Sequence, residues 1–234
     1  MDHPDISVYQ GDVDWAVMRS KTNYIIMKAT QRDWTDTRFH HNAYFCGLPL
    51  GVYHMYDDRS SPGVQASHFA KEIKDYNPLE MWCDYEKTYN GAYSGIGDVV
   101  AFMQRVEDLT GKPMGMYTGY YWFVEHTDKV RDASQLKYLG QRPLWLAWYN
   151  RIKEFPFFTN EGVEKVLIPR PWTTMDVWQW GTPAIGREYG VSSIEIDMNK
   201  RFDGFNPEDR SHDPKSRLIT ANFGDTLIEY EEIK

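Results

Sequence analysis

Apolar residues fall in two alternating rhythms along most of this chain, and together they predict an α/β fold. Nearly continuous apolar runs at residues 24–29 and 50–55 read as strands covered on both faces. Runs at 81–86, 114–118, 144–149 and 175–180 repeat the pattern, and alternation at 5–9 and 194–197 supplies a first and a last strand. Stripes of helical period come between them. Asp12-Val13-Asp14-Trp15 opens a brief helix to Arg19. Thr35 is placed to cap a second helix, on which Phe39, Ala43 and Cys46 share a face before Gly47 and Pro49 end it. Ser61-Pro62 begins a third, with Phe69, Ala70, Ile73 and Tyr76 as its apolar stripe. Ile96, Val99, Val100, Met103 and Val106 trace a fourth, and residues 120–125 and 130–139 form a broken helical pair.

The pattern thus contains five strand-helix units followed by three strands without helices, because neither the proline-bearing segment around Pro156, Pro169 and Pro171 nor residues 181–192 hold a helical stripe. Eight strands joined by right-handed crossovers predict a TIM-like α/β barrel closed by parallel strands, with about five helices and an irregular last part. An open doubly wound sheet is the alternative. No dinucleotide or P-loop glycine pattern stands at a strand-to-helix turn, which disfavours its nucleotide-binding form. The barrel is assigned to residues 1–205; residues 206–234 turn polar and read as a tail or short extension, with 218–220 and 226–230 as a candidate hairpin.

Composition narrows the partners. The chain has 234 residues, 41% apolar and 15% aromatic, enough to bury one large core, and its nine Trp and sixteen Tyr either fill that core or line a groove where sugar faces stack. A net charge of −8, with no concentrated basic surface, argues against nucleic acid as the main partner. Cys46 and Cys83 are too few and too far apart for a disulfide framework or a zinc site, so free buried thiols are expected. His40 and His41 lack metal-ligand partners, and neither a metal nor another cofactor is expected. No run approaches the ~20 apolar residues of a membrane span, and the N-terminal residues lack the basic and apolar regions of a signal peptide. A monomer is expected.

The chemistry centres on Met81-Trp82-Cys83-Asp84-Tyr85-Glu86, where two acids stand two residues apart on a strand pattern. They then share a face, with α-carbons roughly 6 to 7 Å apart, while Cys83 and Tyr85 point the other way. Like charges so placed repel unless one keeps a proton. Alone, such a pair also fits a strand end whose acids reach solvent. In a parallel barrel, however, reactive groups gather at the carboxyl ends of strands. Asp5 on the first strand and Asp197 at the end of the last would converge there with Asp84 and Glu86. Tyr53, Tyr117, Trp145 and Tyr149 would surround them, as would Trp178 and Trp180, while Lys28 reads as a charge partner for the acids and His54 as a hydrogen-bonded support. Asp5 reads equally as a partner of Lys28, and Asp197 as a cap of the turn at Asn199. The full set outlines a sugar site, since glycoside cleavage needs a proton donor and an anion that supports positive charge on the ring.

With these residues placed, the chain resembles the glycoside hydrolase family 25 lysozymes, N-acetylmuramidases that include phage endolysins. The resemblance runs from Asp5 to about Gly204 through Asp5-Ile6-Ser7, Gln10-Gly11, Asp14-Trp15, Lys28-Ala29-Thr30, Gly51-Val52-Tyr53-His54, Asp84-Tyr85-Glu86, the 144–149 run, Trp178-Gln179-Trp180 and Ile196-Asp197-Met198-Asn199. It implies an eight-stranded barrel with five helices that cleaves the β-1,4 bond between N-acetylmuramic acid and N-acetylglucosamine in peptidoglycan strands. By position Glu86 looks like the proton donor and Asp84 its partner, with Asp5 and Asp197 supporting. Gln31-Arg32-Asp33 departs from the acid-glycine expected after Thr30, which bears on subsite preference. The resemblance fits a phage lysin made in host cytoplasm and released to the wall without a signal peptide. A non-catalytic wall-glycan-binding protein on the same barrel is the competing expectation.

Overall fold

The structure, a computed structural model, describes residues 2–86, 95–127, 132–149 and 162–202. The predicted glycine-bearing loop at 90–95, the first part of the 130–139 helix, the first part of the segment between Pro156 and Pro171, and the tail from 206 with its hairpin lie outside the described residues, wholly or in part.

Strands β1 (Asp2–Ile6), β2 (Ile25–Gln31), β3 (Trp34–Thr35), β4 (Leu50–Met55), β5 (Glu80–Asp84), β6 (Met114–Gly119), β7 (Leu144–Ala147), β8 (Val177–Gly181) and β9 (Asp197–Arg201) form one sheet in the order β1-β9-β8-β7-β6-β5-β4-β2-β3. Pairing of β1 with β2 closes eight of them into a barrel, and the two-residue β3 hangs on β2 as a hairpin arm. Helices α1 (Trp15–Lys21), α2 (Phe39–Phe45), α3 (Pro62–Ile73), α4 (Ile96–Thr110), α5 (Tyr120–Thr127) and α6 (Ala133–Leu139) follow the first five barrel strands. Among the described residues only short 3-10 turns follow β7 and β8. The eight-stranded TIM-like barrel with three helix-poor final strands is therefore what the chain forms.

It is not closed by parallel strands alone. β9 runs antiparallel to both β8 and β1. The link from β8 to β9 contains no crossover helix, so the chain reverses rather than returning to the same end. The last strand also begins where it was expected to stop, at Asp197. Because β9 is reversed, its first residue lies at the rim where the other strands end. Two further boundaries moved. β1 stops at Ile6, and a 3-10 turn at Val8–Gln10 follows it. Thr35 caps no helix: it lies in β3 and its hydroxyl is 3.1 Å from His68 Nε2, while Asp36 accepts from the Arg38 amide at 2.9 Å ahead of α2.

Strand alternation sorts side chains into two layers. Ile25, Met27, Met81, Cys83, Met114, Met116, Leu144 and Leu146 face outward and pack beneath the helices, against residues such as Phe69 and Ile73 of α3 and Val99, Phe102 and Met103 of α4. Each such buried side chain contributes about 1.5–3 kcal/mol. Facing inward, Tyr24, Ile26, Trp82, Tyr117, Trp145 and Val177 fill the lumen. Gly115 makes this filling feasible, since a Cβ there would lie 2.3 Å from the Trp82 ring. Trp82 meets Trp145 edge to face at 5.7 Å, and Glu80 closes the lower end by bonding Tyr24 and Arg201. These side chains plug the middle of the lumen and separate the cavity above it from a second one, of about 450 Å³, at the lower end beside Glu80, Trp82 and Gly115. Both thiols, Cys46 and Cys83, are free and buried.

Candidate active site

A pocket of about 400 Å³ sits at the carboxyl ends of the parallel strands. Asp5, Asp84, Glu86 and Asp197 all line it, as do Lys28, Tyr53, Tyr117, Trp145 and Tyr149. The structure thus brings together every acid and aromatic residue expected there except Trp178 and Trp180.

Asp84 is the last residue of β5, and Glu86 stands two positions further on, beyond the strand end rather than on it. Asp84 is buried, and its Oδ1 has no hydrogen-bond partner among the described residues. Glu86 is only partly buried, toward the mouth. Burial pushes the Asp84 carboxyl well up, the Glu86 charge adds to that, and Lys28 opposes it. Glu86 is raised as well, by burial first, with Lys28 opposing and Asp197 reinforcing. Asp5, near the end of β1, is pushed up to about 8 by burial and then by Asp197. Its Oδ2 accepts from Asn199 Nδ2 at 2.9 Å and Gln179 Nε2 at 3.0 Å. These bonds pull in the opposite direction and keep the shift from growing. Asp5 is therefore held by two amides, with no close bond to Lys28. Asp197, at the head of β9, accepts from Thr182 Oγ1 at 2.7 Å, and burial raises it too. Four acids facing one lysine in an enclosed space retain protons that isolated carboxyls would release. The site can therefore both donate a proton and keep an adjacent negative charge.

Gln179 organises the neutral groups. Its Oε1 accepts from Tyr117 at 2.8 Å and Tyr149 at 2.7 Å, which leaves its amide N–H for Asp5. Trp145 Nε1 donates to Asn199 Oδ1 at 2.7 Å, and this aims the Asn199 amide at Asp5. Tyr53 and Tyr117 keep their phenol protons, since burial raises both well above the ordinary range. At the mouth, Ser7 and Gln10 form a capping box around the 3-10 turn, and Asp36 Oδ2 accepts from the Val8 amide at 2.9 Å. That turn presents Tyr9, 81% exposed, on the pocket edge.

Trp178 requires correction as a sugar contact, and Trp180 with it. On β8 the inward residues are Val177 and Gln179; both tryptophans pack in the outer layer, and Trp178 Nε1 donates to the Trp148 carbonyl at 2.7 Å. Two large rings fit the space outside the barrel, whereas the narrow lumen already holds Trp82 and Trp145. His54 also faces outward. It stacks on Phe102 at 4.5 Å, with Nε2 against Gln65 Oε1 at 3.0 Å and Nδ1 against Thr30 Oγ1 at 2.7 Å. Burial drives its affinity for a second proton down to about 3, so it is a neutral support. Ser7, Tyr9, Gln10, Gln31, Met55 and Gln179 line the pocket without having been expected there. For Gln179 a signal existed: it alternates with two tryptophans, and choosing the other face would have found it. No cluster of metal-ligating side chains occurs among the described residues.

The family model described as glycosyl hydrolases family 25 matches residues 4–185. Among solved structures, the chain is similar to the bacterial lysozyme from Streptomyces coelicolor, with 26% identity, a TM-score of 0.68, and coverage of 86% of this chain and 91% of that one. It is likewise similar to the muramidase from Trichobolus zukalii, at 26% identity and TM-score 0.66, covering 86% and 93%. The catalytic domain of endolysin ply40 from bacteriophage P40 of Listeria monocytogenes shares the fold at 21% identity and TM-score 0.62, covering 86% and 93%. A search among curated protein sequences found no match.

Proposed function

The chain belongs to glycosyl hydrolases family 25 and is a peptidoglycan hydrolase of the muramidase kind; from that premise we propose that it cleaves the β-1,4 bond between N-acetylmuramic acid and N-acetylglucosamine, with Glu86 as proton donor. The observation that carries this reading is the convergence of Asp5, Asp84, Glu86 and Asp197 in one pocket, with the proton affinity of each carboxyl raised. Both members of the central pair are raised, and their mutual repulsion supports a reading in which one of them is protonated while the other carries the charge. Glu86 is the member nearer the mouth, where the glycosidic oxygen of a bound strand arrives. Asp84 lies deeper, and Lys28 opposes the rise of both carboxyls, so the anion's role is assigned to Asp84 by its depth in the pocket rather than by Lys28.

Glu86 then protonates the leaving oxygen as the bond to the anomeric carbon breaks, and N-acetylglucosamine departs with a free hydroxyl. Asp84 orients the N-acetyl group of the muramic acid, whose carbonyl oxygen closes on the anomeric carbon to form an oxazolinium ring. Water opens the ring, and Glu86, now a carboxylate, takes the water's proton. The product keeps its anomeric configuration; an inverted first product by NMR would reject the neighbouring-group route. Tyr9, Tyr53 and Tyr149 offer ring faces and hydroxyls to the sugars. The wall outside the cell is the proposed place of action.

Clearing of a cell-wall suspension by the wild-type chain and by Glu86→Gln tests the assignment. Loss of clearing by about 10²–10⁴-fold is expected, together with wild-type fragments whose reducing ends are muramic acid. Equal clearing by both proteins would remove Glu86 from the mechanism.

A further inference from the structure

Lys28 and Gln31 both line the carboxylate pocket although an odd number of positions separates them, an offset that sends side chains to opposite faces of a regular strand. A bulge in β2 reconciles this. Lys28 pairs with Tyr53 of β4 and Thr30 with His54, so Ala29 is the extra residue and the alternation resets. Lys28 Nζ consequently donates to Gln31 Oε1 at 2.7 Å and touches Met55 Sδ at 3.6 Å, while lying 5.4 Å from the Trp34 ring centre. Its close contacts are an amide oxygen, a thioether and an indole face, none of them charged. Yet it is the cation among the pocket's lining residues, opposite four carboxylates.

We propose that Gln31 is a positioning residue for the cleavage: an uncharged acceptor that holds the Lys28 ammonium at the acid pair without neutralising it. This rests on the reading of Asp84 and Glu86 as the reacting pair. The groups facing Lys28 are Asp5 from β1, Tyr53 and Met55 from β4, Asp84 and Glu86 from β5 and the turn beyond it, Asp36 from the segment after β3, and Asp197 from β9; His54 lies behind β4. Burial lowers the proton affinity of Lys28, and the charges of Asp84, Asp36 and Glu86 oppose that and favour its ammonium form. An amide satisfies one of the ammonium's N–H groups and leaves its field on Asp84 and Glu86. A carboxylate at position 31, the residue type expected after Lys28-Ala29-Thr30, would form a charge-assisted pair and absorb that field.

The test compares pH profiles of kcat/KM on purified peptidoglycan for wild type, Gln31→Glu and Gln31→Met, alongside carbon-13 NMR titration of the Asp84 and Glu86 carboxyls. With Glu at 31, both limbs and both carboxyl titrations are expected to move up by about one pH unit; with Met, which frees the ammonium to approach the acids, they move down. Profiles and titrations that coincide with wild type, or that move the same way in both variants, overturn the proposal, because a purely structural role lowers stability or activity without moving the limbs. If Gln31→Glu does not fold, the direction of the Met variant decides. If wild type clears no peptidoglycan, the reading of the reaction fails, and the NMR titrations still decide the role of Gln31.

Discussion

Replacing Asp5 by asparagine is expected to stabilise the folded chain, and to do so more as pH rises. Asp5 is 4% exposed and its carboxyl is pushed up to about 8, against about 3.9 for the unfolded chain. Between those values the folded protein keeps a proton that the unfolded chain has released. Stability therefore falls as pH rises through the window from about 4 to 8, and the loss is complete above it. At about 1.4 kcal/mol per pH unit the window sets a ceiling of roughly 6 kcal/mol. Sharing of the proton with Asp197 and relaxation around the site reduce this to about 3 kcal/mol. Asparagine has the same shape. Its oxygen can accept from Asn199 and Gln179, and its N–H₂ can face Asp197, so the charge is removed without emptying the site. Guanidinium unfolding of both proteins at about pH 4, 6 and 8 should show a gain near zero at the acid end and about 3 kcal/mol at the alkaline end. A variant no more stable than wild type at pH 8, or one with the same gain at every pH, would refute the account. Glycan cleavage by this variant should fall, since the destabilising carboxyl is one of the acids that support the reacting pair.

Asp84→Asn should lower the clearing rate by about 10²–10⁴-fold while circular dichroism stays unchanged, because it removes the anion beside the donor and no hydrogen bond to its buried Oδ1. Gly115→Ala places a Cβ 2.3 Å from the Trp82 ring and should cost about 1–3 kcal/mol in chemical unfolding. Gln65→Leu leaves the Asp57 amide and His54 Nε2 without their shared acceptor, with both residues buried. A loss of about 2–3 kcal/mol is expected, and an unchanged unfolding midpoint would count against that network.

Much of this architecture was legible because it depends on local rules. Strand β4 begins and ends where its apolar run does, Ser61-Pro62 starts α3, and Gly111 ends α4 in the left-handed conformation that glycine adopts freely. The absence of helical stripes after Leu144 was enough to place the helix-poor strands last. Asp84 and Glu86 were found for the same reason: a two-residue spacing near a strand end carries its own geometry. What sequence period could not show was how strands meet. The reversed direction of β9 depends on a link without a helix, and it is what brings Asp197 to the acids from the head of its strand rather than from its end.

The faces of β2 and β8 lay outside local reach as well. Alternation says that Trp178 and Trp180 share a side and Gln179 takes the other; which side is the lumen depends on the volume that Trp82 and Trp145 already occupy. Likewise Gln31 joins Lys28 only because a bulge opposite β4 adds one residue to the strand. Residue order alone therefore determined the strands, the helices and the acids, since those follow from the chemistry of neighbours along the chain. Direction, facing and the charge state of the pocket came from tertiary structure, because each is fixed by groups that meet only when the barrel closes.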